Sequence, residues 1–143
     1  MVSLNDIYNL IAEFSGVKTG KLTPDTDLYK DIGIEGDDFF ELESEFEKRF
    51  SVDMSTYRWY FHHGEEVSFS IGGLFFKPPY SRVKRIPITP ELLRQSANAH
   101  SWLLTYPEHQ LPPRRVDLLI NQLFFGSIGV VGFVLILWKW FHV

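Results

Sequence analysis

The chain has 143 residues, of which 45% are hydrophobic and none is cysteine, and its formal net charge is −4. That length holds one domain of ordinary size with appendages and excludes a second large core. Lack of cysteine excludes disulfides, thiolate metal sites and a cysteine nucleophile, and suits a cytosolic domain.

The charge is unevenly divided. Residues 1–66 carry fifteen acids against six Lys and Arg, a net of −9, whereas residues 67–143 carry three against eight, a net of +5. The acidic part repels nucleic acid, which is therefore not an expected partner, and attracts basic protein surfaces. The basic part suits an anionic membrane face.

In chain order, the opening residues are polar and lack a basic segment followed by an apolar core, so no cleavable signal is expected. Ser3 with Asp6 forms a helix start, and Ile7, Leu10, Ile11 and Phe14 repeat at helical spacing up to Gly16, which predicts a helix over 4–15. From Val17 to Glu35 the residues Gly20, Pro24 and Gly33, with several Asp and Thr, read as a loop. Leu28, Ile32 and Ile34 are its expected anchors to the core. A second helix is predicted from Gly36 to about Phe50, with Phe39, Leu42, Phe46 and Phe50 on one face and carboxylates on the other. Asp37 and Asp38 suit the positive end of its dipole, and Lys48 and Arg49 the negative end.

The aromatic run at Tyr57, Trp59, Tyr60 and Phe61 predicts a turn or two of helix ended by Gly64, used as core and groove lining. Val67, Phe69 and Ile71 alternate with polar residues, and Val83, Ile86 and Ile88 follow the Gly72-Gly73 and Pro78-Pro79 interruptions, which together predict a small β-hairpin or irregular excursion. Phe75-Phe76, Pro78-Pro79 and Tyr80 suit either an edge cover or a partner contact. Thr89-Pro90-Glu91 is a helix start, predicting a helix to about Leu104. Pro107 to Pro113 reads as a linker.

Val116 to Trp138 contains one charge, Asp117. At about 1.5 Å per residue, these residues span roughly 34 Å, enough for a hydrocarbon core of about 30 Å. Trp138, Lys139 and Trp140 form an interfacial anchor. A buried core helix is the alternative, but so small a domain can hardly enclose an all-round apolar helix. Arg114 and Arg115 before the span, against Lys139 after it, place the N-terminal part in the cytoplasm. Asp117 and Asn121 share a face at the near end, suiting contact with interfacial water or with another helix.

The stretch T-P-D-T-D-L-Y-K-D-I-G-I-E-G-D-D-F-F-E-L-E-S-E-F-E-K-R-F resembles the acyl carrier protein family over roughly residues 1–66. In that family D-L-G-x-D-S-L-D leads into an acidic helix; here Asp31-Ile32-Gly33-Ile34-Glu35-Gly36-Asp37-Asp38 aligns without a gap. The soluble part as a whole is similar to an uncharacterised bacterial family of acyl-carrier-like proteins. The departure lies at Gly36, which occupies the place of the serine that carries phosphopantetheine, and no Ser or Thr stands between Thr26 and Ser44. Asp37 and Asp38 would repel a phosphate there.

The expected fold is mainly α: an acyl-carrier-like helical bundle over 1–106 with the possible hairpin, a Pro/Arg linker over 107–115 and a transmembrane tail anchor over 116–141. The expected function is that of a non-enzymatic adaptor or regulator on a bacterial inner membrane, single-pass with its N-terminal domain cytoplasmic. It would carry no cofactor. Glu35, Asp37, Asp38, Glu41 and Glu45 would meet the basic surface of a protein partner, such as an enzyme of lipid or acyl-chain metabolism; the same pattern also suits a solvated face. One alternative is a carrier that holds acyl chains noncovalently or is modified at another hydroxyl. A second is a small metal-dependent hydrolase using His62, His63 and Glu66, although their spacing matches no established ligand pattern and no metal is expected.

Overall fold

The structure is a computed structural model and describes residues 1–65 and 70–142. It is mainly helical: α1 runs over Leu4–Ser15, α2 over Gly36–Phe50, α3 over Ile71–Phe75, α4 over Pro90–Ala99 and α5 over Val116–His142. Single 3-10 turns lie at Thr19–Lys21, Trp59–Phe61 and Pro79–Ser81. The described residues divide into two compact units, one of 1–65 with 83–109 and one of 70–82 with 110–142.

In the first unit, α1 packs on both α2 and α4. Its start is a reciprocal cap: Ser3 Oγ accepts from the Asp6 N–H at 3.3 Å, and the Asp6 carboxylate accepts from the Ser3 N–H at 2.8 Å. Two of the orphan donors at that helix end are thereby satisfied. The inward stripe of α1 is Ile7, Leu10 and Ile11, and that of α2 is Phe39, Leu42 and Phe46; all six are essentially inaccessible to solvent. Ile88, Leu93, Ala97 and Trp102 complete the core.

The long loop between α1 and α2 is irregular but pinned. Leu28 and Ile34 are buried as expected, Leu22 joins them, and Ile32 is only half-buried. The Leu28 N–H donates to Ile88 O at 3.1 Å, and the Glu91 N–H donates to Pro24 O at 3.0 Å. The Arg85 guanidinium reaches Asp27 with two hydrogen bonds, at 3.0 and 2.5 Å.

Two expectations are corrected. The helix begun by Thr89 ends at Ala99 rather than near Leu104, because His100 takes a left-handed conformation with φ 53°. The chain then pairs with a distant segment: the Asp53 N–H donates to His100 O and the Trp102 N–H to Asp53 O, each at 3.0 Å. These bonds form an isolated parallel bridge between Asp53 and Ser101. Of the hairpin and the irregular excursion expected before Thr89, the hairpin is not what the described residues form. Among the described residues there is no strand, and Ile71 opens α3, capped by Ser70. Val67 and Phe69 lie outside the described residues.

In the second unit, α3 packs against α5. Residues Val116–Phe141 of α5 form a helix of 26 residues with mean hydropathy 2.0, long and apolar enough to cross a membrane, and its large hydrophobic side chains other than Ile120 are exposed.

Candidate functional site

The turn into α2 is set by Gly36, which is buried and has φ 55°, in the left-handed region where a side chain is strained. Glu35 before it is extended and makes no side-chain cap. Asp37 and Asp38 occupy the first turn, where carboxylates interact favourably with unpaired N–H groups and the helix dipole.

At about 100° per residue, Asp37, Asp38, Glu41 and Glu45 project away from the Phe39, Leu42 and Phe46 stripe. Glu35, Asp37, Asp38 and Glu41 are exposed and have no ion-pair partner among the described residues. Glu45 is different. It is half-buried and shares Arg49 with Glu13: the guanidinium lies 3.1 Å from Glu45 Oε1 and donates to both Glu13 oxygens at 3.0 and 2.7 Å. Four of the five expected residues thus share one face, Glu35 lies just before the helix, and Glu45 is engaged in tying α2 to α1. Phe40, 40% exposed, flanks this face and meets Trp59 and His63.

On the opposite side of Phe40 a polar cluster is buried. Glu43 Oε1 accepts from the Tyr57 hydroxyl and lies 3.5 Å from His63 Nε2. His63 is stacked on Phe39 with ring centroids 4.4 Å apart, and its Nδ1 donates to Gly64 O at 2.9 Å. Its Nε2 has no hydrogen-bond partner among the described residues and faces the Glu43 carboxyl. Burial raises the Glu43 carboxyl above the usual carboxylate range, and His63 only partly offsets this. The cluster is a carboxyl, a phenol and an imidazole under an aromatic cover. Its chemistry is to brace the 57–63 segment on α2.

The neighbouring His62 points elsewhere and is fully satisfied. Tyr106 O accepts from Trp102 Nε1–H at 2.9 Å and from the Arg58 N–H at 3.2 Å, so its own proton goes to His62 Nε2 at 2.7 Å. His62 Nδ1–H then donates to Ile86 O at 2.8 Å, which fixes the neutral tautomer. Burial lowers its pKa to about 4 and raises that of Tyr106 to about 12.

A histidine near 6.5 when unfolded and near 4 when folded stabilises the fold above pH 6.5, and that contribution is lost as pH falls toward 4. Over that window the loss is on the order of 3 kcal/mol. The expected result is a steep fall in the urea midpoint of the full chain between pH 7 and 4.5, and a shallower fall in His62→Gln; equal slopes would show that His62 is not the titrating group.

Sequence reasoning missed Glu43 and Tyr106, and read Tyr57 as core and groove lining, which its packing on the core bears out, without its bond to Glu43. A signal existed for the first, since about 100° per residue places Glu43 only about 40° from Phe39, at the border of the apolar stripe. No signal links Tyr106 to His62 across 44 positions. Among the described residues no group of three His, Asp or Glu side chains converges as a metal set, and Glu66 lies outside the described residues. His62 and His63 point to different partners, as adjacent residues do. An open cleft beside Val17, Lys18, Lys21, Thr26, Asp31 and Ile32 is lined by polar and apolar groups together.

A family model described as "Protein of unknown function (DUF1493)" matches residues 2–105. No solved structure matches the chain.

Proposed function

From the premise that this chain belongs to the DUF1493 family of proteins of unknown function, we propose that it is an armless, acyl-carrier-like adaptor held on a bacterial inner membrane. The helical domain faces the cytoplasm, α5 is the anchor, and Glu35, Asp37, Asp38 and Glu41 present a recognition surface to a basic partner. Glu45 belongs to the same face as a structural neighbour, through Arg49.

The observation that carries this reading is Gly36. It stands where the carrier resemblance expects a modified serine, and it is buried with a left-handed φ of 55°. A serine there would not present a hydroxyl from ordinary helical backbone. The exposed acids beside it are of the kind that basic surfaces recognise by complementary charge. Arg114 and Arg115, just before α5, support the cytoplasmic orientation by the positive-inside bias.

Intact-mass measurement after coexpression with a phosphopantetheinyl transferase tests the armless part. The parent chain is expected to stay unmodified, and so is Gly36→Ser, which should also lose about 1–2 kcal/mol from the left-handed strain. A stoichiometric prosthetic-group adduct on the parent chain would sink the proposal. For the recognition surface, crosslinking from Glu41→Cys in cells should capture a protein with a basic docking face, and adding Asp37→Lys and Asp38→Lys should abolish the capture. Capture indifferent to that charge reversal would leave the acids as a solvated face.

A further inference from the structure

The α3 segment carries the least expected surface of the second unit. Leu74 is 76% exposed, Phe75 74% and Phe76 42%, three consecutive large apolar side chains presented outward from a single helical turn and its end. Patches of this kind mark binding surfaces.

The segment does not hang free. The Gly72 N–H donates to Asn121 Oδ1 at 2.8 Å, Asn121 Nδ2 donates to Ser70 Oγ at 2.9 Å, and the same Oγ accepts from the Gly73 N–H at 2.8 Å. Gly72 is buried against α5 so closely that a Cβ there would lie 1.9 Å from the Asp117 carbonyl oxygen. The clamp therefore fixes α3 beside residues 117–121, the first turns of α5.

The length of α5 gives the depth of that position. Its 26-residue apolar stretch is about 39 Å long at about 1.5 Å per residue, against a hydrocarbon core of about 30 Å. Trp138 and Trp140 around Lys139 mark the far interface. Counting back about 20 residues from there reaches the region of Leu118, so Asp117 and Asn121 sit at the near interface. Residues 70–82 hold no acid, and Arg82 Nε donates to Lys77 O at 2.7 Å, which folds a second cation back toward Lys77.

We propose that α3 is a second membrane-seating element: Leu74, Phe75 and Phe76 enter the headgroup boundary of an anionic bilayer, at a depth set by the Ser70–Asn121–Gly72 clamp, with Lys77 and Arg82 meeting lipid phosphates. This rests on the reading of α5 as a span. Apolar groups of interfacial segments sit about 5–10 Å into the headgroup and acyl boundary, and cations add attraction to anionic lipid. A bilayer is the occupant favoured over a protein partner because the clamp places the patch level with the near end of the span.

The chain has no cysteine, so depth can be read from single labels on the full-length protein. A fluorophore on Phe75→Cys, in vesicles of phosphatidylcholine with a minor fraction of phosphatidylglycerol, is expected to be quenched more by a nitroxide placed shallow on the acyl chain than by a deep one. A label on Ile128→Cys should show the reverse order. Adding Asn121→Leu should remove most of the Phe75 response and leave that of Ile128 unchanged, and omitting phosphatidylglycerol should weaken the Phe75 response.

A quenched Ile128 label beside an unquenched Phe75 label would overturn the seating of α3 while leaving α5 as a span. Two unquenched labels would overturn both readings. A Phe75 response indifferent to Asn121→Leu would remove the clamp as the cause of its depth, and one indifferent to phosphatidylglycerol would remove the role of Lys77 and Arg82.

Discussion

A full-length chain carrying Ile128→Arg and Val131→Arg is expected to leave the membrane pellet, whereas the parent chain stays there through alkaline carbonate washing. Ile128, Val130, Val131 and Phe133 are all more than half exposed, and together they point to every side of α5. A helix that exposes apolar side chains on all sides is poorly suited to water and well suited to lipid. An arginine near the centre of a span costs about 2.5–3.5 kcal/mol. Two such residues shift the partition by about four powers of ten. Gln122→Arg, close to the polar end, serves as the control, because a long cation there reaches the interface and costs little. Parent chain in the carbonate supernatant would contradict a spanning α5, as would a double-arginine variant that remained fully integrated.

Phe46→Ala should be among the most damaging single truncations in the helical domain, beside those of Phe39 and Phe61. Phe46 is essentially inaccessible, packs on Phe50 with ring centroids 5.6 Å apart, and belongs to the core shared by α1, α2 and α4. Removing a buried phenyl ring loses its transfer free energy and leaves a cavity, together about 3–5 kcal/mol. Against a total stability of about 5–15 kcal/mol for a typical domain, this leaves little margin. Phe40→Ala is the comparison within the same helix, since that ring is 40% exposed and the change leaves no closed cavity. Urea unfolding of the full chain in detergent micelles, followed by near-ultraviolet circular dichroism, should show a much larger fall in midpoint for Phe46→Ala than for Phe40→Ala. Equal shifts would mean that the inner face of α2 is not the stabilising one.

Both variants bear on the same division of labour along α2. Phe39, Leu42 and Phe46 attach the helix to the core, while Asp37, Asp38 and Glu41 remain exposed on the other side. Glu43 sits between the two sets and uses its carboxyl to hold Tyr57, so the helix binds the following segment through its edge. In the proposed adaptor, this leaves the acidic face open.

The sequence by itself determined the elements whose causes are local. Helix α1 begins at the Ser3–Asp6 cap and stops at Gly16 because both signals lie within a turn of the helix they bound. Helix α2 spans Gly36–Phe50, as its apolar period and the charges at its two ends predict. The apolar run of α5 needs only length and composition to be recognised. Tertiary structure alone decided the features that depend on distant partners. Helix α4 stops at Ala99 because residues 100–102 pair with Asp53, and that competition is invisible in the Thr89–Leu104 pattern. The alternation that suggested a hairpin gave way at Ile71, where Ser70 caps a helical turn and Gly72 meets the backbone of Asp117, 45 positions later. His63 faces Glu43, and His62 bonds to Tyr106, because a buried imidazole takes whichever polar atom the packed core brings within reach. Periodicity and caps are short-range properties of the chain, whereas the pairing of buried polar groups is settled only when the core closes.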